Sequence, residues 1–147
     1  MSKLVQAFLA GALMSLIFDF FIFLGLKEHY IDFYKIDLYY NTLFRDNQNI
    51  FIYLFFTILC GYLIMYNNSN KIKLTLIGAF FIASASTLIP SFGYALGEQL
   101  FMQKNQTLRS KKHTFRGDVY YIGRKNISFY DYDLQKIILI QKEELIP

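Results

Sequence analysis

Three long apolar stretches, Leu4–Leu26, Ile50–Tyr66 and Leu74–Leu96, separated by short polar segments, fill the first two thirds of this chain. A helix needs about 20 mostly apolar residues to cross roughly 30 Å of hydrocarbon. The first and third stretches meet that length, and the middle one reaches it with tyrosine and asparagine at its ends. The pattern predicts an all-α membrane domain of three transmembrane helices, with the lipid bilayer as its solvent. The first stretch reads as a retained anchor. Its apolar run exceeds the roughly 7–15 residues of a signal-peptide core, and no A-x-A-like site precedes Lys27. Tryptophan is absent, so the 12 tyrosines and 16 phenylalanines must supply the interfacial belts.

Lysine and arginine are distributed unevenly about these stretches. Lys3, Lys71 and Lys73 lie on one side; Lys27, Lys35, Arg45, Lys104, Arg109, Lys111, Lys112 and Arg116 lie on the other. Cytoplasmic flanks collect such residues, so the N-terminus is expected outside and the C-terminus in the cytoplasm. Heavy use of Ile, Phe, Tyr, Asn and Lys suggests an AT-rich bacterial genome, hence a bacterial inner membrane. The turn-rich Asn67–Lys73 segment predicts that the second and third helices are antiparallel neighbours. The loop from Lys27 to Asn49 is aromatic throughout. It suits either a helix lying in the headgroup layer or an irregular aromatic belt.

After Leu100 the character changes, which divides the chain into residues 1–101 and 102–147. Lys104–Arg116 reads as a basic linker. Val119–Ile122, Ile127–Tyr132 and Lys136–Ile140 then read as the strands of a small antiparallel β appendage, divided by Gly123–Asn126 and Asp133–Gln135. Domains below about 40 residues rarely stand alone. This one should need a partner surface, either another subunit or the membrane.

Asp19 is the one acid deep within an apolar stretch. A mid-helix carboxylate costs about 2.5–3.5 kcal/mol on insertion scales and marks a functional hypothesis. Ala7, Gly11, Ser15 and Asp19 recur every fourth residue, forming a small-residue ridge suited to close helix packing, with Phe18, Phe20 and Phe21 left to face lipid. Asp19 lies roughly 10 Å from Leu26 at about 1.5 Å per residue. Counting inward similarly places Thr57 and Pro90 at that depth. Proline leaves the carbonyl four residues earlier, that of Ser86, without its helical donor. Asp19, Thr57, Ser86 and Ser91 are therefore the candidate intramembrane polar site, holding either a structural acid or a proton or cation. A second ridge, Ala79, Ala83, Thr87, Ser91 and Ala95, suits packing or a water-lined path, with a kink at Pro90.

Other chemistry is sparse. Cys60 is the only cysteine, and His29 and His113 have no obvious partners. No metal-ligand spacing, phosphate loop, nucleophile elbow or dinucleotide fingerprint occurs, so no cofactor or metal is expected. Lys104, Arg109, Lys111, Lys112 and Arg116, just beneath a membrane, suit anionic lipid at about 1 kcal/mol each rather than nucleic acid. The run Phe115-Arg116-Gly117-Asp118-Val119, following a small-residue third helix, resembles the junction to the β-domain in mechanosensitive channels of small conductance. That resemblance implies three helices, an outside N-terminus and a pore-lining third helix. The chain departs from the family by stopping at Pro147 without an α/β vestibule, so the likeness covers only this junction. The expected function is a structural or accessory subunit of an inner-membrane assembly, with other membrane subunits as partners. The alternative is a small homo-oligomeric channel or ion-coupled transporter lined by the third helix. An enzyme acting on lipid would need a catalytic set beyond Asp19, Glu98 and His29.

Overall fold

The structure is a computed structural model that describes residues 2–110 and 113–145. It is mostly helical, with a four-stranded antiparallel sheet at the C-terminal end. Helix α1, Lys3–Leu26, starts at Ser2, whose hydroxyl accepts the Val5 N–H, and runs on through a π-helical turn at Lys27–Ile31. A short helix, α2 (Tyr40–Asn47), meets α3 (Ile50–Met65) at an 86° bend. The bend follows from the capping there: Gln48 is extended, and the Asn49 side chain accepts the N–H groups of Phe51 and Ile52 to open α3. Among the described residues, Lys3–Ile31 and Asn70–Leu88 are long and apolar enough to cross a membrane. The bent α2–α3 pair makes a third such segment if it is counted as one.

Helix α1 is the hub. Its seam with α3 is so tight that backbones touch: a Cβ added at Gly11 would lie 1.9 Å from the Thr57 carbonyl oxygen, and one at Gly61 would lie 2.3 Å from that of Ala7. Ala7, Gly11 and Ser15 form the buried face of α1, so this ridge packs as its spacing suggests. Thr57 and Cys60 fill the same seam, fully buried. Helix α4, Asn70–Ala85, leans on α1 through the ring pairs Phe18–Phe80 and Phe21–Phe81. It meets α3 mainly where Phe56 packs on Phe80, so the hairpin joins helices that share α1 more than they share each other. Phe18, expected to face lipid, is instead 5% exposed within this junction, whereas Phe20 does point outward.

The third apolar stretch is two helices, not one kinked helix. Helix α4 gives way to a 3₁₀ turn at Ser86–Leu88, Ile89 is extended, and Pro90 opens α5, Pro90–Phe101, as its first residue. A residue before proline is driven out of the helical region, and proline at the first helical position loses no bond it needed. The break destroys the phase of the second expected ridge. Ala79, Ala83, Ser91 and Ala95 are exposed, and only Thr87 of that set is buried.

The sheet has four strands in the order β1 (Gln103–Arg109), β2 (Thr114–Ile122), β3 (Asn126–Asp131) and β4 (Lys136–Gln141). The expected basic linker is therefore mostly β1 and the start of β2. Leu108 and Phe115 are register partners and both lean on the sheet's core. Charged neighbours on the exposed face hid that alternation. A bulge with Asn105 at φ 56° interrupts β1, and Ser110 bridges back to Leu145, which curls the sheet around Val119, Ile127, Phe129 and Ile140. At the β3–β4 turn the Asp131 carboxylate accepts the N–H groups of Asp133 and Leu134.

The sheet finds its partner surface within the chain. Tyr121 is buried in one core with Phe23, Leu26, Tyr30, Ile31, Ile36 and Leu43 from the helical part. Tyr30 donates its hydroxyl hydrogen to the Tyr120 carbonyl (2.8 Å), Asn47 donates to the Tyr121 hydroxyl (3.1 Å), and Arg124 forks onto the Asp46 carboxylate. The aromatic loop is thus neither a free belt nor wholly a surface helix. It is the bearing between helices and sheet.

Two substitutions test this packing. Gly11→Leu should lower stability in detergent by at least about 1–3 kcal/mol through overpacking. Phe20→Leu and Ala83→Leu, at exposed positions, should stay within about 0.5 kcal/mol. Equal thermal shifts at all three sites would remove the backbone-contact argument. Tyr121→Ala, which deletes a ring from the shared core at a cost of about 3–5 kcal/mol, should expose the sheet to tryptic cleavage at Arg109 and Arg116. An unchanged digest would mean that the sheet folds without the helices.

Candidate functional site

Asp19 sits one helical turn beyond Ser15 on α1, part-buried. Its partner is Gln48, whose Nε2 donates to Asp19 Oδ2 at 2.8 Å. The α1–α3 register, with Gly11 against Thr57 and Gly61 against Ala7, brings the start of α3 to the level of Asp19. Depth counting along straight helices had matched Asp19 to Thr57 and Pro90 instead. Gln48 was legible only as one polar residue of a turn, because nothing local announces the register in which α1 and α3 pack.

None of the three expected partners reaches Asp19. Thr57 donates to Ser15 Oγ in the α1–α3 seam at 3.4 Å. The Ser86 hydroxyl donates to the Ala83 carbonyl (2.7 Å), and its own carbonyl accepts the Ile89 N–H (2.9 Å), so Pro90 leaves no orphan acceptor there. Ser91 is exposed on the first turn of α5 and borders a separate groove with Glu28, His29 and Tyr94.

Asp19 instead borders a cavity of about 220 Å³ between α1, α3 and α4. Phe18, Phe56 and Phe80 form its apolar wall, and Ser15, Ser84 and Thr87 add hydroxyls. The hydrogens of two of these hydroxyls are already committed. Ser84 donates to the Phe81 carbonyl at 2.9 Å, and Thr87 is shared between the carbonyls of Phe21 (2.9 Å) and Ser84 (2.7 Å). Their remaining capacity is as acceptors. Among the described residues, every buried side-chain nitrogen and oxygen has a partner.

The break between α4 and α5 is held as firmly as a helix interior. The Thr87 carbonyl is wedged between two glycines: a Cβ at Gly25 would lie 2.3 Å from it, and one at Gly93 2.4 Å. His29 Nε2 donates to the Leu88 carbonyl at 2.7 Å, which gives this histidine a structural partner that the sequence did not reveal. Nearby, the hydroxyls of Tyr34 and Tyr94 are 2.5 Å apart, and Tyr34 stacks on Tyr120. Burial first, then the bond to Tyr94, pushes the Tyr34 phenol well above its ordinary range, so it stays protonated at any physiological pH.

The expected anionic-lipid residues scatter over the sheet. Lys104 pairs with Glu98 at 2.5 Å, which partly neutralises it. Arg109 and Arg116 are exposed, and their register partners, Thr114 and Thr107, place them on one face of the β1–β2 pair. Lys111 and Lys112 lie outside the described residues.

Chemically, the site has one carboxylate, acceptor hydroxyls and aromatic walls. It has no activated nucleophile beside a base. Among the described residues no group of three His, Cys, Asp or Glu side chains could hold a metal. Compared with known protein families, with characterised proteins and with solved structures, the chain gives no match in any of the three.

Proposed function

We propose that this chain is a multi-pass protein of a bacterial inner membrane, working as a structural or accessory subunit that holds its sheet rigidly at the cytoplasmic face for a partner. The observation that carries the reading is the shared core: Tyr121 of the sheet is buried among Phe23, Leu26, Tyr30 and Leu43 of the helical part. A domain that simply trailed from its anchor would not bury its own aromatic residue in the anchor's base.

In this reading α1, α3 and α4 are three spans, with α2 turned aside at the start of α3. The ends of the helices support it. The Lys3 ammonium lies 4.7 Å over the Tyr66 ring, pairing the start of α1 with the end of α3. Thr87 packs against Gly25, pairing the ends of α4 and α1. Helix α2, nearly perpendicular to α3, then lies in the interfacial plane under the sheet. The basic residues of the first loop and the sheet fall on the sheet's side, opposite Lys3, Lys71 and Lys73, which favours a cytoplasmic sheet. Arg109 and Arg116 on one exposed face remain the proposed contacts to anionic lipid.

A second reading, an ion-coupled transporter, rests on one observation. The third apolar stretch is broken at Ser86–Ile89, and Thr87 of that break borders the Asp19 cavity. Discontinuous helices beside polar groups are the usual construction of midplane ion sites.

Two measurements test these proposals. A C-terminal alkaline phosphatase fusion should be inactive and a fluorescent-protein fusion bright; the opposite pair of results overturns the orientation. Purification of the tagged chain from its native membrane in mild detergent should yield a heteromer of fixed stoichiometry. A homo-oligomer that passes ions when reconstituted would replace the subunit reading with the transporter.

A further inference from the structure

The cavity beside Asp19 has a chemical bias that the subunit reading does not require. Its wall contains one carboxylate and no lysine, arginine or histidine. Gln48 engages Asp19 Oδ2, and among the described residues no cationic side chain pairs with Asp19. An amide donor holds a carboxylate in place without cancelling its charge. Ser84 and Thr87 have spent their hydrogens on backbone carbonyls, so they meet an occupant as acceptors. With the Ser15 hydroxyl as the one donor left, the polar wall favours something that donates or carries positive charge.

The apolar wall narrows the choice. Phe18, Phe56 and Phe80 pack edge to face in a triangle, with centroids 6.5, 6.1 and 5.3 Å apart. Packed on one another, the rings form a continuous apolar wall against which the body of an organic ammonium can lie, and ring faces attract cations through their quadrupole. A cavity of about 150 Å³ accommodates benzene, so this one, at about 220 Å³, has room for one ring and a small ammonium group. A bare metal ion would leave most of that space lined by phenylalanine with nothing to coordinate.

We propose that the cavity between α1, α3 and α4 binds an amphiphilic monocation, its ammonium against Asp19 and its apolar body among Phe18, Phe56 and Phe80. The occupant's source is either the amine of a zwitterionic lipid headgroup or a free lipophilic amine; the recognition chemistry is the same. This inference goes beyond the subunit reading and does not depend on it. A chain that assembles with partners but fails the test below loses only the cation site.

The test uses the full chain in phosphatidylglycerol nanodiscs, with benzyltrimethylammonium as probe and neopentylbenzene as its neutral isostere, followed by equilibrium dialysis. The wild type should bind the cation saturably at one site. Asp19→Asn, which keeps a hydrogen-bonding group without charge, should weaken the cation at least tenfold and leave the isostere unchanged. Ala83→Phe, at the exposed rim, should block both while leaving Asp19 in place; it keeps the test decisive if Asp19→Asn does not fold. Absence of saturable binding, or equal cation binding by the wild type and a folded variant of either kind, overturns the proposal. Adding phosphatidylethanolamine identifies the source. Lower apparent probe affinity means that a lipid amine competes for the site, and unchanged affinity assigns it to a free cation.

Discussion

Backbone contact between α1 and α3 is the constraint from which the rest of the molecule takes its shape. With Gly11 against the Thr57 carbonyl and Gly61 against that of Ala7, the two helices approach more closely than any side chain would allow. In the membrane reading proposed above there is little hydrophobic drive between helices, so close van der Waals packing of this kind supplies the association. Once α1 and α3 are locked, α4 is left to pack on α1 through phenylalanines, and the wider gap that those rings bridge is the cavity beside Asp19.

The same economy appears at the sheet end. The chain there is irregular: a π-helical turn, a left-handed Lys35, an extended segment and the break before Pro90. Irregular backbone needs its polar groups satisfied, and the chain does this with its own side chains. His29 takes the Leu88 carbonyl, Thr87 takes that of Ser84 while also reaching the Phe21 carbonyl of α1, and Tyr30 takes that of Tyr120 at the β2 bulge. All but the bond to Ser84 join segments far apart in sequence. They join α1, the start of α5 and the sheet, so the sheet shares one core with the helices beside its own small core.

Asp19 shows how helix register distributes chemistry. The contacts of Gly11 with Thr57 and of Gly61 with Ala7 run α1 and α3 antiparallel, so that Asp19 lies beside the start of α3 rather than its middle. There the Gln48 amide donates to the carboxylate and orients it, and the chain turns away through 86° into α2.

Composition and spacing alone determined much of this protein: three apolar stretches, a departure from straight helix at Pro90, the Ala7–Gly11–Ser15 face and strands from Val119 onward. Each is a local property, set by hydropathy, by proline's missing donor or by side-chain size at helical spacing, so it could be read without coordinates. Phe18, Gln48, His29 and β1 were misread or missed for the opposite reason. Phe18 is inside because α4 crosses over it, and Gln48 meets Asp19 because of the register in which α1 and α3 pack. His29 has a partner because α4 breaks where it does. The sheet has four strands because Leu108 and Phe115, each ambiguous among charged neighbours, become inward-facing only when paired. These contacts join residues distant in the chain, and tertiary packing alone decided them.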